Sequence, residues 1–406
     1  MRQARLAAAL AVVLSGAPAC HKTATSAFHP APSRIVERPL AVASVSPRIN
    51  HAATELADGR VLVVGGWGLK ASPSGGATLD ELRDAVIYDA AQGRFLAAGT
   101  MSRARTRHTA TLMGDGRVLV VGGLNRDQTA AMTAEVFDPR SGTWSDASGF
   151  RNGRDGHRAV ALADGSVLVE GGMTSYPGDP GQAEIFDPRS GKWRPSGSIP
   201  RPLYGLTLTR LGDKVLAAGG FGLTAGTTRD WPGVSQHTFL YDVKTGVWTS
   251  SADLNTARYG HTATLLGDGR VVVTGGWKKH SLDSVEIYDP GKDRWSDGGK
   301  LVAARHTHTA SLVAGGVLLI TGGQTGTEQQ AGFYLAGSPV STVEAYSPAA
   351  GAAQKVGELA SPHFYHTASS LPDGNVLVLG GLDDERRVPM DQAYGRLAYA
   401  LVQLPP

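Results

Sequence analysis

A pair of adjacent glycines closes an apolar run seven times in this chain, at Gly65, Gly122, Gly171, Gly219, Gly275, Gly322 and Gly380, with a mean spacing of about 52 residues. A unit of that length cannot bury its apolar face alone, so seven copies imply one supersecondary element stacked against its neighbours. Fourteen residues before each pair stand His51, His108, His157, Gly205, His261, His308 and His366, so six of seven repeats put histidine in one register. Asp115-Gly116, Asp164-Gly165, Asp268-Gly269 and Asp373-Gly374 lie between, and Asp-Gly is a signature of a tight hairpin with positive φ. Each repeat therefore starts with two strands, a and b.

A second register supplies strands c and d. Tyr88, Phe137, Phe186, Tyr241, Tyr288 and Tyr346 precede by seven residues Phe95, Trp144, Trp193, Trp248, Trp295 and Ala353, with turns such as Asp-Pro-Arg-Ser-Gly between. Strand b reads Val118-Leu-Val-Val or Val271-Val-Val-Thr, without polar alternation, as expected of a strand covered on both faces. The 53 glycines, 22 prolines and 18% charged residues agree with short strands and many turns. The expected fold class is all-β: a seven-bladed β-propeller of four-stranded antiparallel blades.

At these residues the chain resembles the kelch-repeat β-propellers, whose motif is the glycine pair, the Tyr or Phe, and the Trp seven residues on. The resemblance runs from Arg34 to the carboxy terminus. It implies kelch-type blades acting as a binding or protein-interaction module. Galactose-oxidase-like proteins share the fold and hold copper with tyrosine and histidine ligands, one tyrosine being cross-linked to a cysteine. The only cysteine here is Cys20, at the edge of an apparent leader, so that cofactor is not expected. Neither a cofactor nor a metal site is assigned; six histidines in a sevenfold ring stand too far apart to share one ion.

The organisation read from the sequence has three parts. Residues 1–19 form a signal peptide: Arg2 and Arg5 precede the apolar run Leu6 to Leu14, and small residues follow. Ala17-Pro18-Ala19-Cys20 resembles a bacterial lipobox, which implies a lipid on Cys20, although Ala17 stands where Leu is preferred and the segment also reads as an ordinary cleavage site. Residues 20–33 are a tether, and 34–406 the propeller. The expected address is exported: an outer-membrane, periplasmic or cell-surface lipoprotein, otherwise secreted, with the membrane reached only through Cys20. The 39 Lys and Arg nearly balance 36 Asp and Glu, leaving no basic field for nucleic acid.

Ring closure is expected to join both chain ends in one sheet, Ile35 to Val42 supplying strand d of the last blade and Leu397 to Leu404 an inner partner. The a-b and c-d turns then share one face, and the longer b-c and d-a loops the other, where binding is expected. Candidates on that face are Trp67, Phe221, Trp231, Trp277 and Phe333, whose rings could stack on a sugar or apolar side chain, and the Arg-x-x-His arginines Arg48, Arg105, Arg154, Arg258 and Arg305, which either hold an anionic ligand or brace the blades. The partner is a protein, peptide or glycan. No catalytic residue is assigned: the loop carboxylates show no acid-base spacing, and neither a Gly-x-Ser-x-Gly elbow nor a phosphate-cradling loop occurs. The alternative is a cofactor-independent carbohydrate-active enzyme on the same face.

Overall fold

The computed structural model describes residues 34–39, 48–71, 77–125, 129–147, 149–151, 153–174, 182–200, 203–222, 233–326, 337–381 and 398–403. The leader, the tether, Cys20, Trp231 and Phe333 lie outside these residues. Among the described residues there is no α-helix, and the strands pair into seven antiparallel four-stranded meanders. The first comprises Ala52–Glu55, Val61–Val64, Asp84–Asp89 and Arg94–Thr100 as strands a to d. The b strands Val61–Val64, Val118–Val121, Val167–Glu170, Val271–Thr274, Leu318–Thr321 and Val376–Leu379 are buried at every residue. Their unbroken apolar runs follow from being sandwiched between neighbouring sheets.

The a strands lie innermost and touch in cyclic order from Ala52–Glu55 through Thr109–Leu112 round to Thr367–Ser370, which returns to Ala52–Glu55. The glycine pairs rivet this ring. The second glycine of each pair donates its N–H to the carbonyl three residues before the histidine register of the next blade: Gly66 to Arg105, Gly123 to Arg154, Gly172 to Leu203, Gly220 to Arg258, Gly276 to Arg305, Gly323 to His363 and Gly381 to Arg48, at 2.7 to 3.2 Å. Glycine is required there by sterics. Gly65 has φ +60°, and a Cβ on it would lie 2.7 Å from the Arg105 carbonyl oxygen.

Outer strands are tied across the same junctions. The indole N–H of Trp144, Trp193, Trp248 and Trp295 donates to the carbonyls of Ala98, Ala147, Gly197 and Ala252 on the preceding blade, at 2.8 to 2.9 Å. Each indole also packs on the strand-c ring of its own blade, as Trp144 does on Phe137 with centroids 5.0 Å apart.

Three local expectations are corrected. Within the Asp-Gly turns only the glycine takes positive φ; Asp115 instead accepts the Arg117 N–H at 3.0 Å, an Asx turn that tightens the loop. In the fourth blade the histidine register falls on Leu206, not Gly205, because the a-b hairpin is one residue shorter and Leu211 pairs directly with Lys214. Leu203, rather than Pro202 three residues before Gly205, then stands in the arginine register. In the last blade Arg38 stands 13 residues before His51, as Trp144 stands before His157, but it is Ile35 that aligns with the tryptophans, since it pairs with Val402 opposite Val376.

The closing blade joins the ends of the chain. Arg34–Pro39 forms its outermost strand against Ala398–Gln403, which pairs in turn with Val376–Leu379. The amino-terminal strand Arg34–Pro39 begins one residue before the span expected for it, and the end of that span, residues 40–42, lies outside the described residues.

Candidate functional site

The residues that recur in every blade are consumed by the scaffold. All five Arg-x-x-His arginines are fully buried. Arg105 donates from Nη1 to the Gly122 carbonyl at 3.1 Å and from Nη2 to Glu135 Oε1 at 2.8 Å. Glu135 also accepts the backbone N–H of Ser102 at 2.7 Å, tying the incoming d-a segment to strand c. Arg258 repeats the arrangement with Gly275 and Glu286, both at 2.6 Å, and Arg305 with Gly322 and Glu344. Arg48 reaches Gly65 and Asp84; Arg154 reaches Gly171 and Gln182, with Glu184 Oε1 at 3.6 Å. In the seventh blade His363 Nδ1 meets the Gly380 carbonyl at 2.8 Å. The charges lie inside the blades, and no guanidinium of this set faces the axis.

The repeat histidines are likewise interblade links. Nε2 of His51, His157, His261, His308 and His366 lies 2.8 to 3.5 Å from Thr367, Thr109, Thr207, Thr262 and Thr309 of the preceding blade. His108 faces Ala52 in that register and so lacks the threonine link. Burial holds all six below the ordinary imidazole range, with His108, His261 and His366 pushed down to about 3.

What varies from blade to blade gathers at one end of the axis. The residue before the histidine register has a left-handed backbone in all seven blades: Asn50, Arg107, Gly156, Gly205, Gly260, Thr307 and Tyr365, with φ between 50° and 65°. These positions ring a cavity of about 310 Å³ at the start of the a strands, lined also by Arg158, Tyr204 and Tyr259. The Tyr204 ring occupies the space a side chain on Gly156 would need; a Cβ there would lie 1.9 Å from it. Tyr259 packs in the same way over Gly205, 3.1 Å from where its Cβ would be. The cavity wall is therefore aromatic at two of the three glycine positions, while Gly260 faces Thr307.

Its charged groups come from the second and third blades. Arg107 Nη1 lies 3.6 Å from Asp155 Oδ2, and Asp155 is buried, its carboxyl pushed up by desolvation against the pull of Arg107. Burial raises the Tyr204 phenol, and Tyr259 is pushed up to about 12, so both hydroxyls keep their protons. Arg158 retains exposed surface although protein surrounds it, because that surface faces the cavity.

The sequence-based candidates divide accordingly. Phe221 is half-buried with its ring against Tyr259, centroids 6.0 Å apart, so it adjoins the cavity wall. Trp67 is half-buried and pairs with Ile49 and Glu81 beside the same face. Trp277 is buried beneath its own loop, bridged to Tyr259 and Ser281. Sequence reasoning passed over Arg107, Asp155, Arg158, Tyr204, Tyr259 and Tyr365. The available signal was departure from the repeat within three residues of the histidine register.

No curated protein matches the chain. Among solved structures, it is similar to a chain described as a novel fungal alcohol oxidase with catalytic diversity among the AA5 family, in complex with copper: 18% identity, TM-score 0.67, covering 93% of this chain and 76% of that one. That likeness is one of fold. The donor set for such a copper does not fit here: among the described residues no three His, Cys, Asp or Glu side chains converge, five of the six repeat histidines meet neighbouring threonines through Nε2, and the only cysteine is Cys20. A family model described as the KLHDC2/KLHL20/DRC7 Kelch-repeats domain matches residues 107–323, just over half of the chain. Repeat register, blade construction and this match agree, and the chain belongs to the kelch-repeat family.

Proposed function

We propose that the protein is an exported, lipid-anchored binding module that captures a protein, peptide or glycan at the face where the b-c and d-a loops surround the axial cavity. One observation carries this reading. The repeated arginines and histidines are locked within and between blades, while the residues that differ among blades collect around one cavity beside the half-buried rings of Trp67 and Phe221. A rigid scaffold with variable residues at one end suits recognition. The test is a peptide and glycan array probed with the mature protein and with Trp67→Ala and Phe221→Ala. Loss of capture at unchanged melting temperature is expected. Capture that survives both substitutions, or no capture at all, would overturn the reading.

The anchor is part of the proposal and rests on Cys20 following a small-residue cleavage site. Palmitate labelling that disappears in Cys20→Ala supports it; a wild-type protein that takes no label opposes it.

A second reading, a cofactor-independent carbohydrate-active enzyme, is favoured by one feature: Asp155, a buried carboxyl with raised proton affinity beside Arg107 and near Tyr204. Glycan turnover that Asp155→Asn abolishes would select it.

A further inference from the structure

The wall of the axial cavity is a sevenfold repeat, and its chemistry is decided where the repeat fails. Strand a opens immediately after the histidine register with Thr109, Thr207, Thr262, Thr309 or Thr367 in five blades and Ala52 in the first. The third blade has Arg158 there. Opposite it, at the junction with the fourth blade, Leu206 replaces the histidine, so the missing threonine leaves no imidazole unpaired at that junction.

Glu170 stands directly across the hairpin from Arg158, yet the two are not paired. Glu170 is buried, its Oε1 accepts the Gly171 N–H at 2.9 Å, and its Oε2 has no hydrogen-bond partner. Arg158 makes one hydrogen bond among the described residues, from Nη1 to the His157 carbonyl at 3.1 Å. A guanidinium carries five N–H donors, so most of this one is unused and opens on the cavity. Arg107 is the other cation on that wall, but Asp155 stands beside it. A cation in a concave site, left unpaired by the carboxylate across its hairpin, is arranged to receive an anion from outside.

The remaining wall supplies neutral groups: Asn50, Thr307, the phenols of Tyr204, Tyr259 and Tyr365, and five of the repeat histidines, which burial keeps unprotonated. Hydroxyls and an amide around two tyrosine rings complement a hydroxylated ring better than a fatty or purely anionic ligand. We infer that the axial cavity binds a small sugar acid, with its carboxylate on the Arg158 guanidinium and its hydroxyls and ring faces on the tyrosine wall. The inference deepens the proposed binding role, because it shares the same face.

The test is calorimetric titration of the folded protein with galacturonate, galactose and an end-capped tripeptide containing glutamate. Saturable binding of galacturonate, at least tenfold tighter than galactose and the tripeptide, is expected. The informative variant is Arg158→Thr with Leu206→His, which restores the threonine-histidine pair of the other junctions and so keeps the blades joined. Loss of a charge-assisted contact of this kind corresponds to about a 10- to 100-fold weaker affinity for galacturonate. Equal affinity for galacturonate and galactose, preference for the tripeptide, no saturable galacturonate binding by the wild type, or unchanged affinity in a double variant that melts at or above the wild-type temperature would each overturn the inference. Array capture through the loops is read separately: a protein that captures a partner but ignores galacturonate fails this inference alone, and one that binds galacturonate but no array partner fails only the broader reading.

Discussion

Arg158 and Leu206 occupy, on adjacent blades, the two register positions that Thr109 and His157 fill one junction earlier, where hydroxyl and Nε2 lie 2.9 Å apart. One interblade hydrogen bond has been exchanged for a cation in the cavity. Arg158→Thr combined with Leu206→His is therefore expected to stabilise the fold by about 1 kcal/mol, the net worth of a neutral hydrogen bond. Thermal unfolding of the double variant and both single variants checks this. Leu206→His alone is expected to destabilise, since it places an imidazole beside Arg158 with no threonine to receive it.

The buried arginine-carboxylate pairs predict a larger effect. Arg105→Ala and Arg258→Ala leave Glu135 and Glu286 buried without their counterions, which costs about 3 to 5 kcal/mol. Denaturant unfolding should show similar losses for both, because the two sites share one geometry. A loss below about 1 kcal/mol in either would show that backbone N–H donors alone suffice to hold the carboxylate.

Trp248 and Trp295 are buried, whereas Trp144 and Trp193 are half-buried. Replacement by alanine is expected to cost about 3 to 5 kcal/mol at the first two positions and less at the second two, as cavity size scales with the burial lost. Urea midpoints for the four variants test the ranking.

Two sets of groups bend the stability curve in opposite directions with pH. The repeat histidines resist protonation in the folded state, so stability is present above about pH 6.5 and is lost as pH falls below it, where the unfolded imidazoles take up protons. Burial pushes Glu170 up to about 7. The unfolded carboxyl releases its proton near 4.5, so this residue lowers stability as pH rises from about 4.5 to 7, by roughly 3 kcal/mol at the upper end. Glu170→Gln should therefore gain stability over wild type that grows across this window and levels off above pH 7, leaving the acid limb unchanged. Unfolding free energies measured at half-unit pH steps would check it, and a constant difference would show that Glu170 does not titrate there.

Strand order, blade composition and the seven-part ring were legible in the chain because turn chemistry and side-chain periodicity are local. Asp115-Gly116, the apolar run Val118 to Val121 and the Phe137/Trp144 spacing each act within a dozen residues. Joining of the chain ends was also legible, since Ile35 to Val42 and Leu397 to Leu404 read as the two halves of an incomplete repeat, and the paired strands Arg34–Pro39 and Ala398–Gln403 overlap those spans. Tertiary structure decided the rest. Equal spacing placed Gly205 in the histidine register; only strand pairing showed that a shorter hairpin puts Leu206 there. The arginines recur in sequence as a ring of cations, but whether they face the axis or the blade interior depends on Glu135, Glu286 and Glu344, about thirty to forty residues further along. The cavity itself is assembled from single residues on different blades, Arg107, Arg158, Tyr204, Tyr259 and Tyr365. No local pattern joins them, because their proximity exists only once seven sheets have closed around an axis.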